Sequence, residues 1–139
     1  MIIMKILDFE FPDDLLYDEE KHVWIKKEGD EILVGITSLG QYMAGKIFQI
    51  SVKEEGEEVN PRSTIFSIES PKWVGKFRLP VEGRVVKVNK EVVENPSLIN
   101  ERPYEAWIVR IKVTKFHKEF KTLKEVEDKF REEVERVAR

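Results

Sequence analysis

Glu69-Ser70-Pro71-Lys72-Trp73-Val74-Gly75 sets one lysine at the join between two apolar, strand-like runs. Thr64 to Ile68 precedes it, and Phe77, Leu79 and Val81, interleaved with Arg78 and Pro80, follow it. Both runs carry the alternation of half-buried strands, so the join predicts a β-turn. Pro71, with its ring-fixed φ, suits the second position of a type I turn. Lys72 then comes third, with its side chain leaving the tip of a hairpin. On these residues alone a solvated turn lysine, the commonest kind on protein surfaces, stands beside a functional one.

Outward from this hairpin the chain keeps reading as short strands punctuated by turns. Upstream, Ile47 to Val52 is a strand, preceded by a short helix through Leu39, Tyr42 and Met43 that Ser38 caps and Gly45 stops. Val23 to Lys27 and Ile32 to Ile36 are β-branched runs joined by Gly29-Asp30, a Gly-first pair suited to a type II′ turn. Residues 12–21 read as a loop that Leu15, Leu16 and Tyr17 pin to the core, and residues 1–11 as an N-terminal extension forming one added strand. Downstream, Gly83 predicts a turn and Arg84 to Asn89 a strand. Residues 90–105 are irregular, with Pro96 opening a short helical turn and Pro103 blocking its continuation. Ala106 to Val113 returns as a strand with Trp107 in the core. Residues 121–139 form a C-terminal helix. Its signals are a Thr122/Glu125 capping box and an apolar stripe of Leu123, Val126, Phe130, Val134 and Val137 that packs on the sheet. Acid-before-base pairs lace its outer face: Glu125 with Lys129, Glu127 with Arg131, Glu132 with Arg136, Glu135 with Arg139. Many short strands at turn-punctuated intervals predict a mainly β sandwich or barrel rather than a parallel α/β sheet, and the length fits a single domain over 1–139.

Composition excludes several function classes. A net charge of −3, with both signs interspersed, offers no basic field for a nucleic-acid backbone. With no cysteine there is no disulfide framework, thiolate metal site or cysteine nucleophile, which fits a reducing cytoplasm. Two isolated histidines, His22 and His117, make no metal site. Glu54, Glu55, Glu57 and Glu58 read as a solvated acidic loop, because no apolar shell flanks them to tune a catalytic carboxyl. The opening MIIMKILDFEF, interrupted by Lys5 and Asp8, is neither a signal peptide nor a membrane span. Charged residues at 37%, rich in Lys and Glu, point to a thermophilic source.

The run Glu69 to Gly83 (ESPKWVGKFRLPVEG) resembles the lipoylation segment of the glycine cleavage system H proteins, with Lys72 on the lipoyl-lysine. The resemblance continues through His22 and Trp24, Val34 to Thr37, Gln41, Gly45, Gly56, Val59, Asn95 to Tyr104 and Trp107, about residues 12 to 113. It implies the flattened barrel-sandwich hybrid of two small antiparallel sheets found in lipoyl and biotinyl carriers, with a short internal helix and a C-terminal helix. It also implies a carrier rather than an enzyme, bearing lipoate on Lys72, with Glu69 read by the ligase that attaches it. The implied partners are the decarboxylating glycine dehydrogenase (P protein), the aminomethyltransferase (T protein), dihydrolipoyl dehydrogenase (L protein) and a lipoyl ligase or transferase. A long arm on Lys72 would hold its reactive end at high effective concentration for each partner in turn. Amide formation would remove the lysine charge, letting the arm lie on apolar surface between tasks.

Departures from the family pattern keep other readings open. Val23 and Lys76 stand where glycine-cleaving members carry acids that shelter a cationic methylamine load, and a like charge should weaken that trap. Pro71 and Trp73 replace the usual small or β-branched neighbours of the lysine. The spacing between Tyr104 and Trp107 is one residue short, and that between Tyr17 and His22 one residue long. One alternative is an H-like carrier of another lipoate-dependent pathway, such as sulfur oxidation with a heterodisulfide-reductase-like complex. Another is a non-lipoylated interaction module of the same fold. A biotin carrier fits poorly, because that family flanks its lysine with methionine. A free-standing enzyme has no nucleophile–base pair or phosphate-cradling loop here.

Overall fold

The computed structural model describes residues 1–138, and its strands pair antiparallel in three sheets. Seven strands make the largest: β3 (Leu16–Asp18), β4 (Val23–Glu28), β5 (Glu31–Ile36), β7 (Glu58–Val59), β10 (Val81–Val88), β11 (Val109–Phe116) and β12 (Lys121–Thr122), in the order β12-β3-β4-β5-β11-β10-β7. A second sheet holds β6 (Gln49–Val52), β8 (Phe66–Ser70) and β9 (Trp73–Phe77) in the order β6-β8-β9. The third is the N-terminal hairpin of β1 (Ile3–Ile6) and β2 (Phe9–Pro12). The helices are α1 (Ser38–Ala44), α2 (Lys90–Glu94), α3 (Ser97–Glu101) and α4 (Leu123–Val137). The expected mainly β sandwich with internal and C-terminal helices is therefore present, with one sheet much larger than expected.

Strand β4 explains the layering. Val23, Trp24 and Ile25 are all buried, so the strand is covered on both faces and loses the usual in-out alternation. Val23 and Ile25 join Val34 and Ile36 of β5 against Ile50, Phe66, Ile68 and Phe77 of the three-stranded sheet. Trp24 turns the other way, into a second cluster with Phe9, Phe11, Tyr17 and the α4 stripe of Leu123, Val126, Phe130 and Val134. Phe130 stacks on Phe11 at 4.5 Å and meets Tyr17 edge-on at 5.5 Å. Burying a side chain of this size contributes roughly 1.5–3 kcal/mol, so α4 is held by packing.

Several local expectations are corrected. Residues 1–11 form a hairpin rather than one strand. Its two-residue turn at Leu7-Asp8 puts Leu7 at φ 54°, a conformation that costs a non-glycine residue roughly 1–2 kcal/mol and carries no Gly or Asn signal to read. Residues 12–21 include β3, and the acidic loop includes β7. Helix α1 is capped by Thr37, whose hydroxyl accepts from the Gly40 N–H, instead of by Ser38. The Ser38 hydroxyl bonds Glu10 of the N-terminal hairpin on both its N–H and carbonyl sides, and the Tyr104 hydroxyl donates to the same Glu10 carbonyl. Burial pushes the Tyr104 phenol up to about 12. Tyr42 and Met43, expected on the buried face of α1, are exposed; Leu39 and Ala44 are buried. Residues 90–105 hold two short helices, α2 and α3. Strand β11 lies three residues later than expected, leaving Trp107 half-buried just before it.

Gly83 makes no turn. It lies within β10 at a bulge, and a Cβ there would come 1.9 Å from the Lys112 carbonyl oxygen. The Gly29-Asp30 turn matches expectation, with φ 65° at Gly29 only, as type II′ requires. At the other end, α4 begins at 123 instead of 121, because Lys121 and Thr122 pair with β3. Its capping box is fully formed. Of the four expected ion pairs Glu127–Arg131 forms at 3.2 Å, Glu125 is taken up by the cap, Glu132 and Arg136 do not meet, and Glu135–Arg139 lies outside the described residues.

The start of α4 is also tied by charge. Lys121 Nζ lies 2.6 Å from Glu19 Oε1, and Glu19 is only 7% exposed. Burial alone would raise the Glu19 pKa, but the hydrogen bond and charge of Lys121 outweigh it and hold it below the ordinary carboxylate value. A depressed folded-state pKa gives stability that is present above the unfolded value near 4.5 and lost as pH falls through the folded one. K121M is expected to lower stability at neutral pH and to move the midpoint of acid unfolding upward, read by circular dichroism against pH. Separately, G83A should cost roughly 1–3 kcal/mol in urea unfolding, since the new methyl must displace strand backbone.

Candidate functional site

Lys72 sits where the sequence places it. Ser70 pairs with Trp73, leaving Pro71 and Lys72 as a two-residue loop at the tip of the β8–β9 hairpin. The paired arms reach closer to the lysine than expected, since Glu69, Ser70, Trp73 and Val74 all lie within strands. Lys72 is exposed, and among the described residues no carboxylate lies within ion-pair distance of its ammonium.

The turn is tied down from below. Ser70 is buried, and its hydroxyl donates to the Ala44 carbonyl at 2.5 Å, the last residue of α1. The Phe48 N–H donates to the Glu69 carbonyl at 3.0 Å. Gly45, at φ 84°, ends α1 with its N–H shared between the Gln41 and Tyr42 carbonyls. Asn100 of α3 then clamps this corner: its amide donates to the Gly45 carbonyl at 2.8 Å and the Gln41 side chain at 3.0 Å, and its oxygen accepts from the Ile47 N–H at 2.9 Å. The Lys72 stem lies over Gly45, with Cδ 3.8 Å from where a Cβ would stand. An exposed side chain thus leaves a hydrogen-bonded base.

Beside Lys72 opens a cleft of about 480 Å³. Ile36, Met43, Ala44, Ile68, Trp73 and Phe77 give it apolar walls; Glu20, Lys21, His22 and Lys72 supply its polar groups. His22, set aside in the sequence as an isolated histidine, adopts a left-handed φ of 57° and brings Nε2 to 2.8 Å from Oε2 of Glu133 on α4, each side chain 13% exposed. Burial holds the His22 pKa below its ordinary 6.5, with Glu133 working in the opposite direction. The imidazole therefore connects the cleft to the C-terminal helix.

The remaining sequence candidates fall away from this cleft. The pleat turns Ile68 and Ser70 inward and Glu69 outward, beside Val74 and Gln49, so Glu69 shares the hairpin with Lys72 without lining the cleft. Val23 lies in the core and Lys76 is exposed; neither borders the cleft, whereas Glu20 does. Neither substitution therefore forms part of the cleft wall. Among the described residues no group of three or more potential ligands could hold a metal ion, and no helix is long and apolar enough to cross a membrane. Sequence reasoning assigned no site role to Ser70, Asn100 or Met43, because each acts through a tertiary contact; Asn100 lies 55 residues from the carbonyl it clamps.

The family model described as "Glycine cleavage H-protein" matches residues 15–136. Among curated relatives, "Probable glycine cleavage system H protein 3" of Saccharolobus solfataricus is 59% identical over 140 residues, covering 98% of this chain and 100% of that protein. "Glycine cleavage system H protein 2" of Aquifex aeolicus is 39% identical over 130 residues, covering 90% and 81%. These relatives come from thermophilic hosts. Among solved structures, a glycine cleavage system H protein from Mycobacterium marinum superposes with a TM-score of 0.78 at 30% identity, covering 86% of this chain and 98% of that one.

The tether beneath the turn gives a direct test. S70A leaves the Ala44 carbonyl without its partner and is expected to cost roughly 1–3 kcal/mol, with faster hydrogen exchange at the Phe48 amide. Unchanged exchange would show that the corner holds without this hydroxyl.

Proposed function

Because the chain belongs to the glycine cleavage H-protein family, whose members are lipoyl carriers, we propose that it carries a lipoyl arm in amide linkage on Lys72 and presents it to the enzymes of glycine cleavage. The observation that carries this reading is one unpaired amine, exposed at the tip of a tethered hairpin, next to an apolar cleft. The cleft volume falls within the roughly 300–1,000 Å³ of small-ligand sites, and its apolar walls suit an alkyl chain ending in a disulfide ring. When bound, that ring would supply a reversible disulfide–dithiol couple and a sulfur able to accept a one-carbon fragment.

The chain's own residues position and release the arm. Ser70, Asn100 and Gly45 fix the point of attachment. Ile68, Met43 and Phe77 offer the arm a water-poor resting place, and Glu20 is the cleft carboxylate that can face a cationic load. Glu69, on the outer face three residues before Lys72, is accessible to an attaching ligase while the inner face stays occupied by the core. The glycine cleavage system supplies the partners; within it, the decarboxylating dehydrogenase, the aminomethyltransferase and dihydrolipoyl dehydrogenase would visit the arm in turn. Val23 and Lys76 lie outside the cleft, so the substitutions that kept a sulfur-oxidising assembly open give it no support here.

Intact mass and peptide mapping of protein from its own cell should find one lipoyl increment on Lys72, absent from K72R and reduced in extent in E69A. With competent partner enzymes the modified protein should exchange label between glycine and bicarbonate, and K72R should not. An unmodified Lys72, in cells whose other lipoyl proteins are modified, would sink the proposal.

A further inference from the structure

We propose that Trp73 is the seat on which the disulfide end of the arm rests between visits, a role that depends on Lys72 being lipoylated. The indole does not leave the hairpin tip with the lysine. It folds back along β9 across Gly75, where an added Cβ would stand 2.0 Å from Cη2 and 2.3 Å from Cζ2. Only a residue without a side chain leaves room for a ring in that place. The indole continues edge-on to Phe77, with ring centroids 6.0 Å apart, and both line the cleft. The cross-strand partner of Gly75 is Ile68, another lining residue, so the seat is an aromatic and aliphatic wall.

Trp73 nevertheless remains 43% exposed. Part of a large apolar ring thus stays uncovered while the residue lines the cleft that Lys72 also borders. A strand advances about 3.3 Å per residue, which puts Gly75 roughly 10 Å from Lys72, within the span of a lysine stem lengthened by an octanoyl-type chain. The Lys72 stem already turns toward the cleft side, over Gly45. A neutral five-membered ring with two polarizable sulfurs is the part of the arm that gains most from an aromatic surface. Seated there, the disulfide is shielded from stray thiols and stays near the hairpin.

The test uses the lipoylated full chain, with modification of Lys72 verified by mass. The emission difference between wild type and W73F isolates Trp73 from Trp24 and Trp107. Oxidised arm on the seat should quench that emission relative to unmodified protein, and reduction of the disulfide by a phosphine should restore it. W73A should be reduced roughly two- to tenfold faster than wild type, the range expected from one sulfur–aromatic contact. G75A, which keeps the indole but pushes it off the strand, should behave as W73A does. Unchanged Trp73 emission and unchanged reduction rates in verified lipoylated protein would overturn the seat and leave the carrier reading intact. Absence of the lipoyl increment on Lys72 would overturn both.

Discussion

Strand β4 is buried on both faces, and the remaining layers follow from that constraint. Val23 and Ile25 demand an apolar sheet on one side, which the β6-β8-β9 sheet provides; Trp24 demands cover on the other, provided by α4 and the N-terminal hairpin. A small domain with β4 exposed on one face would leave the indole of Trp24 in water and α4 without a surface to pack on. The same two-sided burial sets the position of the lysine hairpin. Its inward residues, Phe66, Ile68 and Phe77, pack in the core that β4 floors, so the tip emerges at a fixed place beside α1.

The site combines a rigid base with an unrestrained reactive group. Backbone and side-chain hydrogen bonds converge on the Ala44–Ile47 corner from β8 and α3, and the Glu10 carbonyl joins the N-terminal hairpin to the start of α1 through Ser38 and Tyr104. Helix α1 is short and offers only Leu39 and Ala44 to the interior. Neutral tethers of this kind contribute only about 1 kcal/mol each, but several on one corner fix its geometry. The outer surface of α1 is then free to present Met43 to the cleft and Tyr42 to solvent.

What could be read in the sequence was what local periodicity and turn chemistry encode. The Gly29-Asp30 hairpin, the Thr122–Glu125 capping box, the α4 stripe and the Pro71-Lys72 turn all follow from neighbours a few residues apart. The misses have tertiary causes. Leu7 takes a positive φ without being Gly or Asn because the hairpin it closes buries Phe9 and Phe11 under α4. Gly83 looks like a turn but is a bulge, since its missing side chain serves close approach by Lys112 backbone. The cleft was the least legible feature. His22, Met43 and Trp73 come from separate segments, and the acid that borders it, Glu20, lies outside the motif that names the family's acids.

Strand β9 ends its sheet: among the described residues its ladder runs only to β8, leaving the other side of the backbone unpaired. That edge carries Trp73 and, 64% exposed, Val74, the composition of a strand that would readily pair with a second copy of itself. Lys76, the fourth of the five strand residues and facing solvent, interrupts it with a charge, and Arg78 follows just beyond the strand's end. Acylation of Lys72, as proposed, would neutralise the charge at the head of the edge and leave Lys76 as the only charge within the strand. A residue with no place at the cleft thereby has one in keeping a protein with a sticky, exposed strand dispersed at the concentrations a shuttling carrier needs.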